Sequence, residues 1–187
     1  MHNIQSEASQ ISSSFHIPDN MPDKTISQHR FDSVEDYLHH RPPYLLVNEI
    51  VEIQDFQIRT RHLVSEDSAF IQGHFPGAHI MPGAMMQELS TQSAGILIAA
   101  NFNPMEAYNT HDPFFNEYAL GVLVKIKQAR YRGFARPGDV LDVEVNLDET
   151  IGDMFDFSCT IRSDNKTVML NRFQLANIKS STLQGKS

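Results

Sequence analysis

The feature that most constrains the fold is the segment 84–100, which contains no proline and only one charged residue, Glu88. Its other positions hold mostly Met, Leu, Ile, Ala, Ser and Gln. So many apolar residues over this length indicate a helix that is buried rather than laid on the surface. Pro82 near its first turn and Asn101 near its end fit the residues preferred at helix boundaries. The sequence therefore predicts one long, buried helix.

Six other segments carry strand patterns. One is continuously apolar and β-branched, and several alternate apolar with polar residues, which is typical of strands with one buried face. Gly152-Asp153 and Asp164-Asn165 supply tight turns between successive segments. The expected strands are 44–53, 56–64, 120–129, 141–147, 155–161 and 168–178. The order of elements predicts an α+β fold in which the long helix packs against one face of a curved antiparallel β-sheet.

The length of 187 residues fits a single domain. Residues 1–30 are polar and lack a helical or strand period, so we expect a disordered N-terminal tail. The folded domain is expected over 31–180, with a flexible C-terminus at 181–187. A short helix is expected at 34–40, capped by Asp32 or Ser33 and stopped before two prolines. The segment 101–116 is expected to be a long polar and aromatic loop.

Composition excludes several classes of function. Fifteen Lys and Arg against 23 Asp and Glu give a net charge of -8, which disfavours general nucleic-acid binding. Cys159 is the single cysteine, so neither an intrachain disulfide nor a zinc site of several thiolates can form. No segment resembles a secretory signal, and no apolar stretch approaches the ~20 residues of a membrane span. We therefore expect a cytoplasmic protein without a membrane span.

Glu88 needs an explanation because an isolated carboxylate in an apolar helix costs several kcal/mol unless it is paired, hydrogen-bonded or protonated. A place at a solvent-facing edge of the helix would explain it without any function. The preceding segment favours chemistry instead: His74 lies in a loop rich in Pro and Gly, and Gly83 lies at the helix start, where backbone N–H groups are unpaired. A histidine, a carboxyl group and a helix N-terminus can supply a base, an acid and an oxyanion site.

Three blocks of sequence together resemble one known family. Residues 73–83 read GHFPGAHIMPG, with Glu88 fourteen positions after His74; residues 41–48 read RPPYLLVN; and residues 130–139 include Arg-Tyr-Arg and Arg-Pro-Gly-Asp. In this order they are similar to the motifs of the FabZ-type 3-hydroxyacyl-acyl-carrier-protein dehydratases, which have the hot-dog fold. The resemblance extends from about Leu38 to about Ile178.

The resemblance implies a long central helix wrapped by an antiparallel sheet, and a homodimer or a larger oligomer of dimers with sites shared between protomers. It implies that His74 removes the α-proton of a (3R)-3-hydroxyacyl thioester and that Glu88 protonates the departing β-hydroxyl. The Gly83 N–H would stabilise the oxyanion, with Phe75 and Ala84 beside it in the substrate site. The expected product is the trans-2-enoyl thioester, without isomerisation because the acid is Glu rather than Asp. No cofactor and no metal are expected.

The basic residues after the strand at 120–129 have two readings. Arg130, Arg132 and Arg136 could be an ordinary solvated face. Together with Lys125 and Lys127 they could instead form a local positive patch for an acidic acyl carrier protein and its phosphopantetheine phosphate. The chain also departs from the family: His79 stands where many members have proline, and the 101–116 loop is longer than usual. His79 is more often incidental than catalytic in such a position. These departures from the family leave the identity of the acyl group open more than any other property.

Two rival functions remain. A hot-dog thioesterase would use a helix carboxylate to hydrolyse the same kind of thioester, although it would not need His74. A catalytically silent hot-dog subunit could bind an acyl carrier or complete a heterodimer, although it would not need both His74 and Glu88. The acyl chain length and the pathway stay open at this point.

Overall fold

The computed structural model describes residues 26–112 and 114–183. Within these ranges, four helices and six strands form one α+β unit around the third helix. The helices are α1 (Val34–Tyr37), α2 (Ala69–Gln72), α3 (Gly83–Asn101) and α4 (Ser180–Leu183). The strands are β1 (Glu49–Ile53), β2 (Gln57–Leu63), β3 (Tyr118–Tyr131), β4 (Val140–Ile151), β5 (Met154–Ser163) and β6 (Lys166–Lys179).

All six strands form one antiparallel sheet in the order β1-β2-β4-β5-β6-β3. Alternate residues of β4 and β5, among them Val143, Val145 and Phe157, are buried with α3 in the core. The predicted α+β class and the hot-dog arrangement, a central helix wrapped by the sheet, are confirmed. Among the described residues, no helix combines the length and the hydropathy that crossing a membrane requires.

Helix α3 begins and ends one residue beyond the predicted segment 84–100. Leu89, Ile96, Leu97 and Ile98 are fully buried, which stabilises the fold by about 1.5–3 kcal/mol for each side chain. The helix also buries serine and threonine side chains, whose hydroxyl groups remain hydrogen-bonded. Their hydroxyls donate to the carbonyl one turn earlier, as in Ser93 to Leu89 at 2.9 Å. A helix without a solvated face is therefore stable here.

The first strand starts later than predicted. Residues 44–48 were expected to belong to it, but β1 begins at Glu49. The Leu46 N–H donates to Gln92 Oε1 at 2.8 Å, and Gln92 Nε2 donates to the Tyr44 carbonyl at 2.9 Å. The side chain of a helical residue therefore takes the backbone bonds that a neighbouring strand would supply.

The short first helix is also shorter than predicted. It is capped by Ser33, whose hydroxyl accepts from the Glu35 N–H at 3.2 Å, and it ends at Tyr37 instead of continuing to residue 40. The Arg41 guanidinium donates to the Leu38 carbonyl at 2.7 Å and to the Thr110 carbonyl at 3.0 Å. Residues 38–41 are thus held against the 101–116 loop.

The segments outside the sheet are held by hydrogen bonds to the end of α3 and to one another. Ser27 pairs with Asn103, and the His29 N–H donates to the Ala100 carbonyl at 2.8 Å, so residues 26–30 contact the end of α3. Asn116 ties the 101–116 loop to His39, to whose Nε2 its amide donates at 2.9 Å. The remainder of the predicted tail, residues 1–25, and residues 184–187 of the predicted C-terminus lie outside the described residues.

Helix α3 and strand β3 approach most closely at two glycines. Gly121 has φ of +70°, and a Cβ built on it would lie 2.9 Å from the Cα of Gly95. Both the backbone conformation and the space therefore require glycine at residue 121.

Gly121→Ala should lower the free energy of unfolding by about 2–4 kcal/mol, because strain at positive φ adds to a backbone clash. Gly152→Ala is the matched control: Gly152 has φ of +61° but nothing within 4 Å of the added Cβ, so it should lose only about 1 kcal/mol. Urea denaturation at one protein concentration measures both. Equal losses would show that the contact with Gly95 does not matter.

His62 predicts a pH dependence of stability. It is buried, its Nδ1 lies 2.6 Å from the Leu46 carbonyl, and burial lowers the pKa of its imidazole. The unfolded chain then binds more protons than the folded chain just below the ordinary pKa of ~6.5, so stability is lost as the pH falls through that range. Unfolding measured between pH 7.5 and 5 should show this loss, and His62→Gln should show a smaller one. An unchanged pH slope in the variant would contradict the assignment to His62.

Candidate active site

Glu88 lies on the second turn of α3, with 17% of its side chain exposed. Gln92 Nε2, one turn further along the same face, donates to Glu88 Oε1 at 2.9 Å. Two rings come from the segment before β1: His40 Nε2 is 3.8 Å from Oε1, and Tyr44 lines the same cavity as Glu88. Burial, followed by the charge of Glu88, raises the pKa of the Tyr44 phenol. Glu88 is therefore held among polar partners and does not simply reach solvent at a helix edge.

A cavity of about 550 Å³ opens next to Glu88. One side is α3, from Glu88 to Gly95, and another is the first half of β3. The segment after α1 and the 101–116 loop complete it with the rings of Tyr37, His39, His40, Tyr44, Tyr108 and Phe114. Burial is the largest cause that lowers the pKa values of His39 and His40. The wall is therefore mostly apolar and aromatic, with a single carboxyl group at Glu88.

His74 lies in the loop between α2 and α3, and the peptide bond that joins it to Phe75 is cis. Its Nδ1 is 3.1 Å from the Ile80 carbonyl oxygen, and its ring stacks on Phe75 with centroids 4.2 Å apart. Because a carbonyl only accepts, this contact places the proton on Nδ1 and leaves the Nε2 lone pair free in the neutral ring. The loop thus fixes the tautomer that a general base needs.

Gly83 is the first residue of α3, where Pro82 occupies the N-cap position without a side-chain cap. The amide N–H groups of a first helical turn have no acceptor within the helix. The ring of Tyr131 lies directly over Gly83, since a Cβ there would be 2.8 Å from Tyr131 Cε1. Ala84 follows as an exposed residue. Only glycine leaves room for both this ring and a ligand atom near the helix start.

The end of β3 carries the basic residues that the sequence singled out. Arg130, Arg132 and Arg136 are all exposed. The Met81 N–H donates to the Ala135 carbonyl at 2.8 Å, so the His74 loop is tied to this same region. Arg136 also lies over the Phe134 ring at 5.4 Å. The structure thus groups His74, Gly83 and the three arginines around one end of β3.

Comparison with known proteins decides the family. A family model described as a FabA-like domain matches residues 38–172. This chain belongs to the FabA-like family. The FabZ-type resemblance read from the sequence is confirmed.

Curated relatives within this family are FabZ dehydratases. The chain is similar to the 3-hydroxyacyl-[acyl-carrier-protein] dehydratase FabZ of Anaeromyxobacter dehalogenans, with 31% identity over 139 residues, 72% of this chain and 81% of the relative. The FabZ of Burkholderia cenocepacia is 32% identical over 130 residues, 69% of this chain and 78% of the relative.

Two solved structures whose described functions differ have the same fold as this chain. The dehydratase heterocomplex ApeI:P from Xenorhabdus doucetiae matches with a TM-score of 0.68 and 22% identity, covering 82% of this chain and 96% of that chain. A hypothetical thioesterase of Streptococcus pneumoniae with coenzyme A matches with a TM-score of 0.52 and 14% identity, covering 70% of this chain and 85% of that chain. At these identities the likeness concerns the fold alone.

The two residues expected to act together in this FabA-like chain lie in different surroundings. Glu88 lines the cavity, whereas His74 and Phe75 are not among the residues that line it. His79, the second histidine of the motif, has its Nδ1 3.7 Å from Glu66 Oε1, and that carboxylate is 73% exposed. A single FabA-like chain therefore presents the two halves of the expected site separately.

Sequence reasoning did not single out His40, Tyr44 and Gln92. Gln92 could have been found, because residues four apart on a helix share a face, and an amide there can reach a carboxylate. His40 and Tyr44 reach Glu88 only through the tertiary fold of the segment before β1, so no local spacing indicates them.

Proposed function

We propose that this chain catalyses the reversible dehydration of (3R)-3-hydroxyacyl-acyl carrier protein to the trans-2-enoyl form and water. The observation that carries the proposal is the His74 loop, in which Nδ1 contacts the Ile80 carbonyl and leaves Nε2 free to accept a proton. It is supported by Glu88 in an apolar cavity and by membership of the FabA-like family.

In the proposed mechanism, His74 Nε2 takes the α-proton while protonated Glu88 gives its proton to the β-hydroxyl group. The Cα–H and Cβ–O bonds break, the Cα–Cβ double bond forms, and the hydroxyl leaves as water. Negative charge that develops on the thioester oxygen is stabilised by the N–H groups of Gly83 and Ala84 at the positive end of α3. Phe75, stacked on His74, contributes apolar surface for the thioester.

The proposed active form is a dimer, because within one chain His74 does not line the cavity that Glu88 lines. Strand β3 is the last strand of the sheet, and its second edge has no strand partner among the described residues. Leu123, Val124 and Ile126 are each more than one-third exposed there. A long, exposed, apolar edge strand is a template for pairing with another strand. Antiparallel pairing of two copies of β3 would bring His74 of one protomer toward Glu88 of its partner.

A dimer with a different hot-dog chain is the second candidate for the assembly, favoured by the likeness to the ApeI:P dehydratase heterocomplex. Light scattering of the purified chain separates the two. A stable homodimer supports the first arrangement, and a monomer that dimerises only with a second hot-dog chain supports the second.

His74→Ala and Glu88→Gln should each reduce the hydration of a crotonyl thioester by about 100- to 10,000-fold, the range that loss of a general acid or base costs. Loss of the double-bond absorbance measures the rate. His79→Ala is the matched control and should keep full activity, since His79 pairs with surface Glu66.

Undiminished hydration by folded His74→Ala would contradict the dehydratase assignment. A chromogenic thiol reagent in the same assay tests the thioesterase alternative: the wild-type protein should release no free thiol from an acyl thioester.

The arginine patch, defined as Arg130, Arg132 and Arg136, is proposed to dock the acidic carrier protein. Changing all three to Glu should raise the KM for a carrier-bound substrate ~10-fold or more and leave the KM for a small thioester largely unchanged. Arg59→Glu on β2 is the control for a change of surface charge elsewhere. Equal effects on both substrates would show that the patch acts on the site itself and not on the carrier.

A further inference from the structure

We propose that the two aromatic side chains near the end of the 101–116 loop, Phe114 and Phe115, dock against Tyr131 and Phe134 of a second copy of this chain. The inference rests on the function proposed above, in which two copies pair through β3 to complete the site. It adds a contact surface outside the paired strands and assigns the loop a role in closing the shared site.

The loop rings, defined as Phe114 and Phe115, are large apolar side chains left in solvent. Phe114 is 85% exposed, and Phe115 is half-exposed. Single exposed hydrophobic residues are common on protein surfaces, but adjacent ones that form a patch mark sites of interaction. The loop rings are therefore candidates for contact with another molecule.

The turn that carries the loop rings is held in one conformation. The Phe114 N–H donates to Asp112 Oδ1 at 2.9 Å, and the Phe115 N–H donates to the Asp112 carbonyl at 3.2 Å. At the base of the turn, the Asn109 N–H donates to Asn116 Oδ1 at 3.0 Å, and Asn116 Nδ2 donates to the Asn109 carbonyl at 2.7 Å. A segment fixed in this way loses little conformational entropy when it binds a partner.

A second group of exposed rings lies at the other end of β3. The strand-end rings are Tyr131, the last residue of β3, which is half-exposed, and Phe134, which is 62% exposed. Phe75, which stacks on His74, is also more than half-exposed, and its loop is bonded to Ala135. The loop rings and the strand-end rings are thus separated by the 14 residues of β3.

Two-fold symmetry brings the two groups of rings together. When two antiparallel copies of β3 pair around their exposed apolar residues Leu123, Val124 and Ile126, the start of each strand lies beside the end of the other. The loop rings of each copy then lie beside the strand-end rings of its partner, and the contact occurs twice in one dimer. A second copy is the occupant because this symmetry covers both groups of rings at once.

The apolar surface is large enough for a stable dimer. Full burial of a Phe or Tyr side chain removes about 150–250 Å² from water. The loop rings, the strand-end rings and Phe75 are each half-exposed or more, and the apolar residues of the β3 edge add to them. Together they approach the ~800 Å² per partner of a standard interface.

The same contact closes the cavity beside Glu88. Phe114 lines this cavity, whereas His74 and Phe75 lie near the far end of β3. Once the loop rings meet the strand end of the partner, Phe114 faces the loop that carries the partner's His74. The 101–116 loop thereby contributes a wall to the site that the two chains share.

Cross-linking of introduced cysteines tests the contact directly. The double variant Phe115→Cys/Phe134→Cys keeps one ring of each group, and a short bismaleimide reagent should convert it to a covalent dimer. Each single variant should stay a single chain on a denaturing gel, because its two cysteines lie at opposite ends of the paired strands. A link within one chain is excluded by the length of β3, roughly 40 Å.

The control for random collision is the double variant Leu63→Cys/Phe134→Cys. Leu63 is exposed on β2, four strands away from β3 in the sheet, so this variant should form no covalent dimer. The native Cys159 is buried and should not react. Absence of a covalent dimer from the Phe115/Phe134 variant, or equal yields from the single variants, would overturn the proposal.

Removal of the loop rings should weaken the dimer. Phe114→Ser/Phe115→Ser should raise the dissociation constant of the dimer ~30-fold or more, as expected for aromatic residues that dominate an interface. The chain should stay folded, because both rings are exposed within it. Ile151→Ser, at an exposed apolar residue at the end of β4, is the control and should leave the constant within about twofold. Sedimentation over a dilution series measures all three proteins, and an equal constant for the loop variant and the control would contradict the contact.

Failure of this inference can be told apart from failure of the proposed function. If the wild-type chain stays monomeric in light scattering, both the pairing through β3 and the contact of the rings are wrong. If it is a homodimer but the Phe115/Phe134 cysteine variant does not cross-link, the dimer stands and the contact of the rings falls. Neither measurement uses turnover, so the dehydratase assignment is decided separately by the thioester assay.

Discussion

The close approach of Gly95 in α3 to Gly121 in β3 sets the geometry on which the site depends. A Cβ at Gly121 would meet the backbone of Gly95 at 2.9 Å, so side chains cannot separate the helix from the strand at this crossing. The cavity beside Glu88 lies along both elements. The absence of two side chains thus fixes the distance between the helix that carries Glu88 and the edge strand of the sheet.

Burying α3 on all sides removes its polar side chains from water, which costs free energy. Hydrogen bonds to neighbouring elements offset this cost. Thr60 of β2 hydrogen-bonds Ser93 at 2.8 Å, and Asn171 of β6 donates to Gln87 at 2.9 Å. Gln92 adds the third link, to residues 44 and 46. Buried polar groups that are paired across elements favour one register of the helix over others. The same pairs that allow the helix to be buried therefore orient Glu88 toward the cavity.

Features that depend on neighbouring residues in the sequence could be predicted, whereas features that depend on contacts between distant residues could not. Helix α3 and the alternation of β4 and β5 were predictable because burial of one continuous face leaves a periodic signal in the local sequence. The start of β1 was not predictable. The backbone groups of residues 44 and 46 bond to Gln92, more than forty residues along the chain, and not to a neighbouring strand. Helix α2 was missed since four residues carry too little periodicity, and Ser68 before it makes no side-chain cap bond.

The candidate site also has features that the sequence could predict and features that it could not. His74, Gly83 and Glu88 could be proposed from spacing, because the first two belong to one loop and helix start, and the lone charge in α3 identifies the third. A site shared between protomers was expected only through the family resemblance, and the tie of the His74 loop to Ala135 after β3 leaves no signal in local spacing. Tyr44 and His40 could not be proposed either. The sequence predicts a strand at Tyr44 and a short helix at His40, and neither pattern indicates that these residues lie near Glu88.

The environment of the cavity is consistent with the chemistry proposed for it. Burial is the largest cause that lowers the pKa values of both histidines in its wall, His39 and His40, so both rings are neutral near pH 7. Arg41, which follows His40 in the chain, directs its guanidinium to backbone carbonyls and His111. Arg41 is thus held by acceptors other than Glu88, and the wall beside Glu88 is formed by neutral rings and the Gln92 amide.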